Sequence, residues 1–150
     1  MTRHLPSLLA SAALVLASAS AFAQQASPVG LWKTIDDETG KPKALVRITE
    51  ANGEFRGTIE KLFRAPGEDQ NPTCDKCEGD LKDKPVLGMT ILTGMKPDGS
   101  EYGGGRILDP NNGKLYKSKM SLADGGRKLN VRGYIGMPML GRTQTWVREQ

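Results

Sequence analysis

The sequence predicts an all-β protein, an eight-stranded antiparallel up-and-down barrel, and three observations lead there. Turn formers recur at short, regular intervals, the segments between them are apolar or alternate in hydropathy, and no stretch of about ten residues carries a convincing helical repeat.

The turn signals are Asp36 to Gly40 (DDETG), Asn52-Gly53, Asp98-Gly99, Asp109 to Gly113 (DPNNG) and Asp124 to Gly126 (DGG). Asn-Gly and Asp-Gly suit hairpins because both central positions of a type I′ turn need positive φ. Between these signals, strands are expected at Gly30 to Thr34, Ala44 to Thr49, Glu54 to Phe63 and Val86 to Met95. Four more are expected at Tyr102 to Leu108, Lys114 to Leu122, Lys128 to Ile135 and Arg142 to Arg148. Val46 and Ile48 oppose Leu45, Arg47 and Thr49, while Tyr116, Ser118, Met120 and Leu122 oppose Lys117, Lys119 and Ser121, so one face of each strand is expected to be buried. Glycines at Gly103, Gly104 and Gly105, and at Gly133, Gly136 and Gly141, would weaken a helix but suit the bulges and bends of a closing sheet. Closure removes the exposed edges and encloses a core or a small cavity.

One stretch breaks the rhythm. Arg64 to Pro85 (RAPGEDQNPTCDKCEGDLKDKP) is a long run of turn formers and charges, the length at which a loop is either a lid over a site or a surface excursion pinned by its crosslink.

The chain has 150 residues, and the first 23 read as a cleavable secretory signal. Arg3 and His4 precede an apolar run from Leu8 to Ala17, and Ala21-Phe22-Ala23 supplies the small-residue cleavage pattern ahead of Gln24. The run falls short of the about 20 apolar residues a transmembrane helix needs. The only cysteines are Cys74 and Cys77, so none is placed to accept a lipid after the signal. The expected product is a soluble, monomeric periplasmic protein with a single domain over residues 24–150.

With Arg3 removed, 20 basic residues face 17 acidic ones, mixed along the chain, so a nucleic acid partner is not expected. The sole histidine, His4, lies in the signal. Its loss excludes Ser-His-Asp and Cys-His catalysis, histidine metal sites and a histidine pH switch. No complete catalytic constellation remains, and an enzyme is not the first expectation.

Three segments carry a family resemblance: Gly30-Leu31-Trp32 ahead of a charged strand, Gly104-Gly105-Arg106-Ile107-Leu108-Asp109-Pro110 to Gly113-Lys114, and Val131-Arg132-Gly133-Tyr134-Ile135-Gly136 closing with Gly141-Arg142-Thr143-Gln144-Thr145-Trp146. From about Pro28 to Arg148 the chain resembles the exported bacterial proteins of the domain of unknown function 2147 family. The resemblance implies a lipocalin-like barrel and brings no established reaction with it. It also implies the broader calycin pattern, in which a Gly-x-Trp on the first strand meets an arginine from the last strand at the closed end. Trp32 matches the tryptophan, and Arg142 or Arg148 supplies the cation. Such a pair is a structural latch, worth on the order of 1 kcal/mol from cation–π attraction when desolvated. Plain core packing is the alternative for Trp32 and Trp146.

Cys74-Asp75-Lys76-Cys77 is the most chemically suggestive motif. In an oxidising compartment the default is a disulfide, whose short loop contributes roughly 2 kcal/mol. Redox activity and metal binding are the alternatives. Redox catalysis normally places one thiol at a helix N-terminus, and zinc wants four ligands where only two are offered, so no metal and no cofactor are expected. The carboxylates at Asp36, Asp37 and Glu38, and at Glu68 and Asp69, read as solvated turns, since neighbours on a turn seldom face each other across a cleft.

Arg106, Arg132, Tyr134 and Trp146 are the candidate ligand-contacting residues. Alternation puts Arg132 and Tyr134 on one face and Val131, Gly133 and Ile135 on the other, and either face can be the inner one. The leading functional expectation is a barrel binding a small apolar or amphipathic molecule, gated by the Arg64 to Pro85 loop. Only seven aromatic residues follow the signal, so a filled interior is the counterweight. A thiol-redox protein acting through Cys74 and Cys77, and an envelope protein–protein interaction module, are the other readings.

Overall fold

The computed structural model describes residues 26–149, so the expected signal lies outside the described residues. Eight strands follow one another: β1 (Gly30–Ile35), β2 (Pro42–Ala51), β3 (Glu54–Leu62), β4 (Thr90–Asp98), β5 (Glu101–Asp109), β6 (Lys114–Ala123), β7 (Lys128–Tyr134) and β8 (Arg142–Arg148). Each pairs antiparallel with the next, and β8 returns to β1, closing the barrel. The seam is short, with Trp32 opposite Arg148 and Lys33 opposite Val147.

Turn chemistry sets the hairpins. Between β2 and β3, Asn52 and Gly53 have φ of 54° and 76°, the double positive φ of a tight hairpin. Strand glycines mark irregular pairing: the β5–β6 register shifts between Tyr102 and Gly105, and the β3–β4 register shifts on both sides of Gly57. At Gly105 a side chain would strike Met95 and come within 2.6 Å of the Thr93 carbonyl oxygen, so β4 and β5 are this close only because the residue is glycine.

The expected fourth strand is corrected at its start. Val86 to Met89 is apolar, and both Val86 and Met89 are buried, but Gly88 at φ 85° bends the chain. The segment meets β3 only through hydrogen bonds between Gly88 N–H and the Ile59 carbonyl and between Ile59 N–H and the Met89 carbonyl. Regular pairing begins at Thr90.

Alternation sorts the rest. Ala44, Val46 and Ile48 of β2 point inward, as do Leu129 and Val131 of β7. Trp32, Ile48, Phe55, Leu92, Met95, Met120 and Leu129 belong to one buried cluster and fill the half of the barrel where the chain enters β1 and leaves β8. Phe55 and Tyr102 pack edge to face with ring centroids 5.1 Å apart. Each fully buried aliphatic side chain here stabilises the fold by about 1.5–3 kcal/mol. Ser118 is also fully buried, and its hydroxyl has no hydrogen-bond partner among the described residues.

Candidate functional site: a lidded cavity at the barrel mouth

The two ends of the barrel differ. At one end Trp32 is fully buried, its indole N–H donating to the Pro28 carbonyl at 2.8 Å. The Arg148 guanidinium lies over its ring, 4.3 Å from the centroid. Arg148 also donates to the carbonyls of Gly126 (2.7 Å), Val29 (2.9 Å) and Ser27 (2.6 Å), tying the N-terminal strap to the β6–β7 turn. This end is stoppered. Of the two arginines that the sequence offers to Trp32, Arg148 takes the place. Arg142, six residues earlier on the same strand, stands at the opposite end and pairs with Asp37.

The opposite end, where the β1–β2, β3–β4, β5–β6 and β7–β8 connections lie, holds a cavity of about 530 Å³ walled by the strands and by the β3–β4 and β5–β6 connections, within the range of about 300–1,000 Å³ typical of small-molecule sites. Its depth is apolar, formed by Val46, Ile59, Ile91, Leu108, Val131 and Trp146, most of them buried. Gly133 keeps the β7 wall thin there, since a Cβ would press within 3.3 Å of Ile107 and 3.4 Å of Tyr116. The rim is polar and exposed, with Lys43, Arg64, Lys76 and Arg142 set against Asp75 and Asp109. Arg64 lies 3.6 Å from Glu68, and Arg142 is held by Asp37. Among the described residues, Lys43 and Lys76 have no carboxylate within ion-pair distance.

The long β3–β4 connection covers part of this mouth through Pro72, Thr73, Asp75, Lys76 and Val86. It is internally organised. Thr73 bridges to Pro85, Cys74 N–H donates to the Lys84 carbonyl at 2.8 Å, and Asp83 N–H donates to the Cys74 carbonyl at 2.9 Å. Lys82 caps the Asp75 carbonyl. The Cys74–Cys77 disulfide lies inside this fold, the two residues 0% and 3% exposed. The loop docks on the β5–β6 turn: Cys74 Sγ is 3.6 Å from the Pro110 carbonyl oxygen, and Gly113, at φ 72°, lies so close to Lys76 and Cys77 that a Cβ would overlap the Lys76 carbonyl.

Of the expected ligand contacts, Trp146 lines the cavity. Arg106, Arg132 and Tyr134 are not among the lining residues; on β7, Leu129, Val131 and Gly133 face inward and the alternate residues Arg132 and Tyr134 outward. Arg132 instead holds the β7–β8 loop, donating to Pro138 O (2.6 Å), Met139 O (3.3 Å) and Thr143 Oγ1 (2.7 Å). Arg106 is exposed on β5. Gln144 was missed, although it shares a strand face with Trp146 and the same alternation points to it.

The turn carboxylates hold structure. Asp36 accepts the N–H groups of Thr39 (2.8 Å) and Glu38 (2.9 Å), and these bonds, Thr39 foremost, hold its carboxyl below the ordinary aspartate range. Asp69 accepts Asn71 N–H at 2.9 Å. Among the described residues no cluster of three His, Cys, Asp or Glu side chains is placed to hold a metal, and no helix is long and apolar enough to cross a membrane.

A closed antiparallel barrel of eight consecutive strands, stoppered by a Trp–Arg pair at one end and opening into a cavity at the other, is a lipocalin-like barrel protein. The solved structure of HP1028 from Helicobacter pylori, described as belonging to the lipocalin family, aligns with a TM-score of 0.70 over 83% of this chain and 84% of that one, at 20% identity. That likeness is one of fold. The family model described as an uncharacterized protein conserved in bacteria (DUF2147) matches residues 30–148, and the chain belongs to that family. No curated protein matches it.

Proposed function

We propose that the protein binds a small amphipathic molecule in the barrel mouth, with the apolar part against Val46, Ile59, Val131 and Trp146 and an acidic headgroup at the rim. The observation that carries this reading is the division of one cavity of about 530 Å³ into an apolar depth and a polar rim where, with Arg64 met by Glu68 and Arg142 by Asp37, Lys43 and Lys76 are left without an ion-pair partner among the described residues. Burying an apolar tail in the depth is favourable by about 25 cal/mol per Å². The rim cations, Lys43 and Lys76 above all, decide which headgroup follows.

We place this activity in the periplasm, on the charged, apolar and small-residue order of residues 1–23. A disulfide in the lid accords with such a compartment. The burial of Cys74 and Cys77 argues for a lid brace and against thiol exchange, which needs an accessible sulfur.

The test is native mass spectrometry with three probes of matched chain: decanoate, decanol and decyltrimethylammonium. Decanoate is expected to bind and to quench Trp146 emission, with the cationic probe weakest. Val131→Trp, which fills the depth, abolishes binding of all three, and Lys43→Glu with Lys76→Glu reverses the headgroup order. Absence of binding by every probe, or binding indifferent to Val131→Trp, overturns the proposal.

A further inference from the structure

The β7–β8 connection carries a feature that the cavity does not use. Across residues 135–141, four large apolar side chains are turned to solvent: Ile135 is 65% exposed, Met137 56%, Met139 71% and Leu140 74%. Single exposed apolar residues are ordinary, but four in one short loop mark a contact surface.

Several carbonyls of this loop are bonded while its side chains are left unpacked. Pro138 has no N–H to satisfy. The Met137 carbonyl accepts Leu140 N–H at 3.0 Å. The Pro138 carbonyl accepts both Gly141 N–H and Arg132 Nε, and the Met139 carbonyl accepts Arg132 Nη2. Gly141 fixes the exit, since a Cβ there would lie 2.7 Å from Tyr134 Cβ. Three carbonyls at the tip are thus already bonded, which lowers the cost of entering the donor-poor interfacial region of a lipid surface.

The flanks are basic. Arg142, paired with Asp37 and exposed, follows the loop directly, and Lys117 stands opposite Tyr134 on the outer wall, where Leu115, 54% exposed, extends the apolar surface. Cations around an apolar tip match a bilayer with anionic headgroups.

We infer that the β7–β8 loop docks the protein on an anionic phospholipid surface, with Met137, Met139 and Leu140 entering the interfacial region and Lys117 meeting the headgroups. The docking does not require a loaded cavity, but it sets the barrel mouth against the bilayer.

The test is co-sedimentation of the oxidised protein with vesicles. Binding is expected to phosphatidylglycerol–phosphatidylcholine vesicles, weak binding to phosphatidylcholine alone, and progressive release as salt is raised. Met139→Ser with Leu140→Ser is expected to weaken binding at least about tenfold, and Lys117→Ala about fivefold. Both variants change exposed side chains, and an unchanged melting temperature and unchanged decanoate binding separate this surface from the cavity. Failure of the wild type to bind anionic vesicles overturns the inference, as does equal binding by the double variant. Self-association or protein capture that Leu140→Ser abolishes, without vesicle binding, assigns the loop to a protein partner and equally overturns it.

Discussion

Arg148 lies over Trp32 with its guanidinium 4.3 Å from the ring centroid while donating to three backbone carbonyls from two separate segments. The fork of donors and the flat cationic face act together, which a lysine cannot reproduce. Arg148→Ala is therefore expected to lower stability by about 2 kcal/mol, and Arg148→Lys to restore less than half of that. Urea unfolding followed by tryptophan emission measures both, and full recovery by lysine would show that charge alone matters.

Gly113 governs the lid. Its positive φ and the pressing Lys76 backbone leave no room for a Cβ, so Gly113→Ala is expected to undock the disulfide loop at a cost of about 1–3 kcal/mol. The barrel stays intact. Limited proteolysis within residues 64–85 should accelerate while the far-ultraviolet circular dichroism is unchanged; an unchanged cleavage rate would contradict the docking.

Ser118 buries a hydroxyl with no hydrogen-bond partner among the described residues. Removing it leaves a methyl in an apolar surrounding, and Ser118→Ala is expected to raise stability by about 1 kcal/mol. A loss of stability in the unfolding midpoint would reveal a bond to the hydroxyl that the fold depends on.

Three carboxylates sit below their ordinary range: Asp36 through the N–H groups of Thr39 and Glu38, Glu60 through its hydrogen bond from Arg47, and Asp124 through its hydrogen bond from Arg127. A depressed folded value means that the contribution is complete above the unfolded value, near pH 4, and is lost as pH falls through the folded one. The described residues contain no histidine. Stability is therefore expected to be flat from about pH 6 to 8 and to decline below about pH 4. The part due to the Arg47–Glu60 and Arg127–Asp124 pairs shrinks as salt rises. Denaturation midpoints across pH, at low and high salt, check this.

Strand positions were legible because turn residues and alternation are local. β8 occupies the expected Arg142 to Arg148 span, and Asn52-Gly53 turns as its residue types require. Inner and outer faces of β7 were not settled by Val131 to Ile135, because Gly133 gives the inner face no side chain and Ile135 lies past the strand end, while Tyr134 lends the other face an aromatic body. Leu129, one step earlier, shares a face with Val131 and resolves it. Val86 to Met89 read as strand because burial in a loop and burial in a sheet select the same apolar residues. Lys43 and Lys76 escaped notice as rim residues for a different reason: one lies at the start of β2 and the other in the β3–β4 connection, and only the closed barrel brings both to one rim.

Seven of the eight strand pairings join neighbours in sequence, and only the seam joins residues more than a hundred positions apart. As the chain becomes free to fold from its N-terminal side, hairpins can form, but the sheet keeps two open edges until β8 is free. The Arg148 clamp and the Trp146 wall of the cavity both reside on that last strand, so closure, latch and binding cavity come into being in a single late step. A chain cut short before residue 142 is thus an open sheet, prone to pair with other chains, with no binding cavity to protect.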